Sequence, residues 1–255
     1  MPRKTIKAPG KVGRSSGTIV VNYRQVHMAL LALANPRKAA FLAGFFKTGK
    51  GQYAEGDRFL GISVPAIRHL TRQFRHLDLK GCERLLQSPY NDGRLLALLI
   101  LVEHHRKGDA DVKNKVYRIY LKNRQWVNNW NLVDSSAPHI VGCHLLQQDR
   151  SLLYELTQSR SLWDRRIAML ATFAFIRAND FADALKLTEL FLTDEHDLMH
   201  KACGWMLREV GKRNRTALES FLRRHHRVMP RTMLRYAIER FDPARRKAYL
   251  TGMIG

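Results

Sequence analysis

The chain has 255 residues, 45% of them hydrophobic, which is enough for one large domain or two small ones with a sizeable core. Its 44 Lys and Arg residues outnumber its 22 Asp and Glu residues, and the net charge of +22 favours a nucleic-acid partner over a merely basic soluble protein. The longest apolar run, Leu95 to Val102, is far shorter than the ~18 residues of a membrane span, which excludes a transmembrane helix.

Residues 1–21 are basic, rich in Gly, Pro and Ser, and without periodicity, which predicts a flexible tail. This tail could hold nucleic acid loosely or have no role. It lacks the apolar segment of a secretory signal. The cysteines, Cys82, Cys143 and Cys203, are scattered and odd in number, as is typical of reduced thiols, so we expect a cytoplasmic protein.

Residues 22–255 show a helical pattern almost throughout, without strand alternation, and are predicted to form a single all-α domain. Asn35 followed by Pro36 is typical of a helix start.

The segment Gly44 to Gly51 almost matches a phosphate-binding loop. However, Gly51 follows Lys50 where that motif needs Ser or Thr to bind magnesium, and the preceding pattern is helical. We interpret the segment as a helix C-terminus and a surface loop, in which Lys50 remains available to contact a phosphate.

The apolar helices recur along the chain at similar separations. Their centres lie 37, 35, 35 and 32 residues apart, at Leu95, Leu132, Ile167, Ala202 and Leu234. This spacing predicts an α-α superhelix of HEAT-like two-helix repeats, a curved solenoid whose basic concave face can hold a duplex. A non-repetitive helical bundle is the alternative.

One carboxylate follows two tryptophans in the run Arg124 to Asp134. If this run is one helix, Trp126, Trp130 and Asp134 share a face. A lone carboxylate beside aromatic rings in a strongly basic protein suits chemistry on a polyanion in which positive charge develops at the reacting atom.

A further tryptophan lies away from the apolar stripe of its helix. Trp205 is about 130° from the centre of that stripe, and Lys201, Arg208 and Lys212 share its side of the helix. Two interpretations stay open: packing against a neighbouring helix, or contact with a DNA sugar or base between phosphate-binding cations.

Other charged residues leave alternatives open. Arg166 lies within a mostly apolar helix and needs either a carboxylate or a phosphate as its partner. Arg231 and Arg235 belong to a basic stretch that is either a solvated surface or an edge that follows phosphates. His196, His200 and Cys203 have zinc-like spacing but no evident fourth ligand, so we expect no metal site.

Four of these segments together resemble the AlkD family of bacterial DNA glycosylases, which are built from HEAT-like repeats. The resemblance runs from about Asn22 to the C-terminus. It is carried by Asn129-Trp-Asn-Leu-Val-Asp134, Leu162-Trp-Asp-Arg-Arg166, Lys201-Ala-Cys-Gly-Trp-Met-Leu-Arg-Glu209 and the helix from Arg231 to Arg240.

The resemblance implies an enzyme that excises cationic alkylated purines such as 7-methylguanine or 3-methyladenine from duplex DNA. We expect this enzyme to be a monomer associated with the nucleoid. The resemblance further implies that the base is not flipped into a pocket, unlike the usual glycosylase strategy, and that no metal or cofactor is needed. By residue match, Trp130 and Trp205 would contact the lesion's deoxyribose, Asp134 would be the catalytic carboxylate, and Arg166 would contact DNA.

The chemistry explains why a single carboxylate suffices. Glycoside hydrolysis commonly uses a second carboxyl group to protonate the leaving group, but a 7-methylguanine already carries positive charge. Asp134 could then stabilise the cationic sugar and orient water, and the faces of Trp130 and Trp205 offer negative quadrupoles to the same cation. The cations expected to guide the DNA are Lys50, Arg166, Lys201, Arg208, Lys212, Arg231 and Arg235.

Two other functions compete with this one. The first is a non-catalytic binder of damaged or branched DNA that uses the same basic face. The second is a helical scaffold for acidic protein partners.

Overall fold

The computed structural model describes residues 21–254. Residues 1–20 of the predicted tail lie outside this range, and Val21 packs against the core. The α-helices are α1 Tyr23–Leu31, α2 Pro36–Phe45, α3 Val64–Gln73, α4 Leu79–Leu86, α5 Asn91–Lys107, α6 Ala110–Lys122, α7 Trp130–Ser136, α8 Cys143–Leu145, α9 Ser151–Thr157, α10 Leu162–Arg177, α11 Ala182–Leu190, α12 Asp197–Arg213, α13 Arg215–His225, α14 Arg231–Ala237 and α15 Pro243–Thr251.

Helices and loops account for all of residues 21–254, and no β-strand occurs among them. Two irregular turns flank α7, a 3₁₀ turn at Arg124–Trp126 and a π-helix at Pro138–Gly142. The predicted helix start at Asn35 is confirmed, because its side chain accepts a hydrogen bond from the Lys38 amide at 3.0 Å. No helix in the described part of the chain is long and apolar enough to cross a membrane.

The helices form two layers. One layer, which we call the stacked layer, consists of helices that pack side by side in the order α3, α5, α7, α10, α12 and α14. The intervening helices, among them α4, α6, α9, α11 and α13, connect its members and cover it from outside. All five predicted repeat centres lie in the stacked layer, in α5, α7, α10, α12 and α14. The predicted all-α helical-repeat solenoid is therefore confirmed.

The core runs through the middle of the stacked layer. In α5, residues from Leu96 to Leu98 are fully buried, and in α10 the same holds from Ile167 to Ala171. Both helices are buried on nearly all sides, as their uninterrupted apolar runs predict. Each buried Leu or Ile contributes about 1.5–3 kcal/mol, so this core holds neighbouring repeats in register.

The helix that carries Asp134 is shorter than the sequence pattern suggests. Asn129 adopts an extended conformation, with φ −156° and ψ 154°, and α7 begins only at Trp130. Trp126 ends a separate 3₁₀ turn. The expected alignment of Trp126 with Trp130 and Asp134 on one helix is therefore wrong, whereas Trp130 and Asp134 do lie one turn apart.

Candidate active site and nucleic-acid surface

An ion pair between neighbouring helices of the stacked layer lies at the centre of the candidate site. The guanidinium of Arg166, from α10, donates to both carboxylate oxygens of Asp134, from α7, at 2.8 and 2.9 Å. Its third nitrogen donates to the Leu198 carbonyl in α12. The side chain of Arg166 is 6% exposed and that of Asp134 is 18% exposed. Of the two partners considered for Arg166, the structure shows the carboxylate.

Opposing influences set the protonation of Asp134. Burial raises the pKa of the Asp134 carboxyl above its ordinary value, and the Arg166 guanidinium offsets part of this rise by charge and by hydrogen bonding. The two-pronged geometry also fixes the plane of the carboxylate. Arg166 therefore both orients Asp134 and favours its ionised form.

Asp134 lines a groove with a volume of about 620 Å³ between α3, α5 and the π-helix. One wall of this groove carries Arg68 and Arg72 of α3 and Arg75 of the turn that follows it. These side chains are exposed, and among residues 21–254 none has a carboxylate within ion-pair distance. The sequence interpretation did not single them out, although the spacing of four residues between Arg68 and Arg72 places these two on one face of a helix.

Trp130 is packed on one side by aromatic residues near the end of α2. Its ring stacks on Phe46 with centroids 5.0 Å apart and meets the edge of Phe45 at 6.1 Å. Phe46 in turn stacks on Phe59 at 4.8 Å. Since one face of the half-buried indole is covered, only the remaining surface of the ring is free for a ligand.

Trp205 is half-buried on α12. Its ring lies 5.9 Å from that of Phe173 in α10, and its Nε1 donates to Glu209 at 3.1 Å. Packing against a neighbouring helix, one of the two interpretations of this residue, is thus observed.

The positions of the two tryptophans along the helices can be compared with that of the ion pair. Trp205 lies seven residues, or about 10 Å, beyond Leu198, while Trp130 lies about 6 Å before Asp134. Arg166 contacts both α7, through Asp134, and α12, through the Leu198 carbonyl, so the ion pair connects the helices that carry the two tryptophans.

Besides Arg166, three of the predicted DNA-binding cations are paired with carboxylates. Lys201 pairs with Asp197 and Lys212 with Glu209, both at 2.7 Å. Arg208 pairs with Glu239. Ion pairs at partly exposed positions contribute about 0–1 kcal/mol, so exchanging such a carboxylate for a DNA phosphate costs little.

The remaining predicted cations have no carboxylate partner within the described range. Arg231 donates to the Leu250 carbonyl at 2.9 Å. Arg235 and Lys50 are exposed. Together with Arg68, Arg72 and Arg75, they are available to a phosphate.

The residues with zinc-like spacing have local structural roles. His196 caps α12 by accepting a hydrogen bond from the Leu198 amide at 3.1 Å. Cys203 is fully buried, and burial raises the pKa of its thiol. Within residues 21–254, no group of three His, Cys, Asp or Glu side chains is arranged to hold a metal ion.

The Gly-rich segment forms a loop, which we call the strap, over residues 47–60. Its Tyr53 meets Trp163 of α10 at 6.0 Å, and its end is tied to α5, where the Asp92 carboxylate accepts from the Leu60 and Ile62 amides. Gly61 follows with φ 81°, and a Cβ there would lie 2.3 Å from the Asn35 carbonyl oxygen. The strap thus crosses the N-terminal ends of the stacked layer.

Comparison with known families places these features in context. Residues 26–241 match the family described as DNA alkylation repair enzyme. The chain belongs to this family. The matched range includes Asp134, both candidate tryptophans and every candidate cation. Membership of this family indicates a role in the repair of alkylated DNA.

A solved structure has a similar fold. It is described as a predicted DNA alkylation repair enzyme from Enterococcus faecalis, and it superposes with a TM-score of 0.64 at 16% sequence identity. The match covers 82% of this chain and 97% of that one. The likeness shows that the two proteins share the helical-repeat fold. A comparison with curated proteins found no match.

Proposed function

We propose that this protein is a monofunctional DNA N-glycosylase that excises cationic alkylated purines, of the 7-methylguanine and 3-methyladenine type, from duplex DNA. The observation that supports this most directly is the Asp134 carboxylate, exposed at one edge to a groove lined by unpaired arginines. Trp130 lies one helical turn before it, and Arg166 favours its ionised form.

The proposed reaction needs no acid for the leaving group. The bond between C1′ and the base nitrogen breaks, and its electron pair neutralises the positive charge of the alkylated base. The sugar becomes cationic, water adds at C1′ and loses a proton, and an abasic site remains. Asp134 stabilises the sugar cation and orients the water, and groups of this kind contribute about 10²–10³-fold in rate. The indoles of Trp130 and Trp205 flank the sugar, without extrusion of the base.

Arg68, Arg72 and Arg75 are proposed to hold the DNA backbone beside the site. Arg68 and Arg72 lie about one helical turn apart on α3, Arg75 lies in the turn that follows, and all three line the groove that contains Asp134. Contacts with phosphates release counterions, so binding should weaken steeply as salt is added. Weak binding without such salt dependence would instead favour the scaffold for acidic partners.

Base release from a duplex with a single 7-methylguanine tests the enzymatic proposal. Asp134→Asn keeps the size of the side chain and an oxygen that accepts from Arg166, but removes the negative charge. We expect base release to fall by about 10²-fold or more, with duplex affinity retained. Equal release by both proteins would refute the role of Asp134.

A second function is favoured by one observation, the engagement of both Asp134 oxygens by Arg166. If that pair is purely structural, the same groove serves a non-catalytic binder of damaged or branched DNA. Such a protein would bind the lesion duplex with salt-dependent affinity and release no base.

A further inference from the structure

The strap contains a buried carboxylate that the proposed chemistry does not use. The side chain of Asp57 is 2% exposed and forms an ion pair with Arg94 of α5, itself 3% exposed. Its second oxygen accepts from the amide of Asn91 at 2.9 Å and from that of Asn129 at 3.1 Å. A buried charge is tolerated only with such partners, so Asp57 fixes the position of the groups around it.

Asn129 connects this network to the candidate site. Its side-chain oxygen accepts from the Trp130 amide at 2.9 Å and caps α7, while its side-chain nitrogen donates to Asp57. On the other side of Trp130, Asn131 donates to Asn91 at 2.8 Å. Both neighbours of Trp130 are therefore held by the network around Asp57.

Aromatic residues in and next to the strap also hold the ring of Trp130. Phe46, which immediately precedes the strap, stacks on the indole at 5.0 Å, and Phe59, within the strap, stacks on Phe46. The strap thus supports the ring of Trp130 through Phe46 and its backbone through Asn129.

We propose that Asp57 is a positioning residue for Trp130, acting through Asn129 and the strap. It sets the first turn of α7 so that the indole, and Asp134 one turn later, face the deoxyribose. This inference rests on the proposed function. Since a displacement of about 1 Å in a catalytic group can cost about 10²-fold in rate, loosening this tether should slow excision and leave DNA binding unchanged.

Asn129→Ser tests the tether with little disturbance, because serine retains the oxygen that caps α7 but has no amide to donate to Asp57. In single-turnover experiments with a 7-methylguanine duplex, we expect the excision rate constant to fall by about tenfold or more at an unchanged dissociation constant. Asn129→Asp should lower the excision rate constant further, because it places a second carboxylate beside that of Asp57. Adding Asp57→Asn should recover part of that loss by restoring an amide donor.

Asp92→Asn is the matched control. Asp92 also ties the strap to α5, through the Leu60 and Ile62 amides at 2.7 and 2.9 Å, but it makes no hydrogen bond to α7. We expect this variant to unfold more easily while its excision rate constant stays close to that of the wild type. If Asp92→Asn slows excision as much as Asn129→Ser does, the specific role of Asp57 and Asn129 is overturned.

A measurement independent of activity separates this inference from the proposed function. In protein labelled with 5-fluorotryptophan, Trp130→Phe identifies the ¹⁹F resonance of Trp130 among those of the four tryptophans. Asn129→Ser should shift or broaden this resonance and leave that of Trp205 unchanged. If the resonance responds but the wild type releases no base, the proposed function fails and the tether stands. If neither the resonance nor the excision rate responds, the tether is refuted.

Discussion

Removal of Arg166 is the most informative perturbation of the candidate site. Arg166→Met places an unbranched apolar side chain of similar length in a position that is 5% exposed, and it deletes both hydrogen bonds to Asp134. Removing one partner of a buried ion pair lowers the free energy of unfolding by about 3–5 kcal/mol. Since water reaches 18% of the Asp134 side chain, we expect the lower end of this range.

The same substitution should change how excision depends on pH. Burial raises the pKa of Asp134 and Arg166 opposes it, so without Arg166 the carboxyl holds its proton to higher pH. Excision requires the ionised form and is lost as the pH falls through the pKa of Asp134. The acidic limb of the profile should therefore move to higher pH in Arg166→Met.

The neighbouring arginine provides the control. Arg165 pairs with Asp194 at 2.7 Å, with side chains 18% and 7% exposed, and has no contact with Asp134. Arg165→Met should lower the free energy of unfolding in urea by a similar amount. Single-turnover excision measured between about pH 5 and 8 should show the displaced limb only in Arg166→Met. An unchanged limb in that variant would refute the view that the ionisation of Asp134 controls the reaction.

Two further predictions concern DNA binding and the strap. Arg68→Ser combined with Arg72→Ser should weaken duplex binding and lower the slope of log affinity against log salt by about 0.9 per lost phosphate contact. Arg118→Ser, at an exposed position of α6 in the covering layer, should leave the slope unchanged. Equal slopes in all proteins would remove α3 from the interface. Gly61→Ala should lower the free energy of unfolding in urea by about 1–3 kcal/mol or more, because the residue has φ 81° and the new Cβ would meet the Asn35 carbonyl, and an unchanged midpoint would contradict that.

The features that were predicted best from the sequence are those set by residues close together in the chain. The apolar centres of the stacked layer were found because a helix buried on all sides carries an uninterrupted apolar run. Trp130 and Asp134 were correctly placed one turn apart because that relation is local to one helix. Trp126 was misplaced because Asn129 interrupts the helix between Trp126 and Trp130. Asparagine is strongly preferred at helix N-caps, and here it begins a new helix.

Pairings across the fold were harder to predict. The bond between Asp134 and Arg166 joins residues 32 positions apart, and only tertiary packing brings them together. The pairing of Arg208 with Glu239, 31 positions away, was likewise beyond local spacing. By contrast, Lys201 follows Asp197 by four residues and Lys212 follows Glu209 by three, so these pairs could have been recognised from the helix period.

The stacked layer also determines how the protein should open. In a linear array of repeats, each unit is stabilised mainly by its immediate neighbours, so unfolding begins at the ends. The helices that carry Asp134 and Arg166, α7 and α10, are interior members with a packed neighbour on either side. Fraying of α14 and α15 therefore leaves this pair assembled, and amide hydrogens of α7 and α10 should be among the last to exchange with solvent.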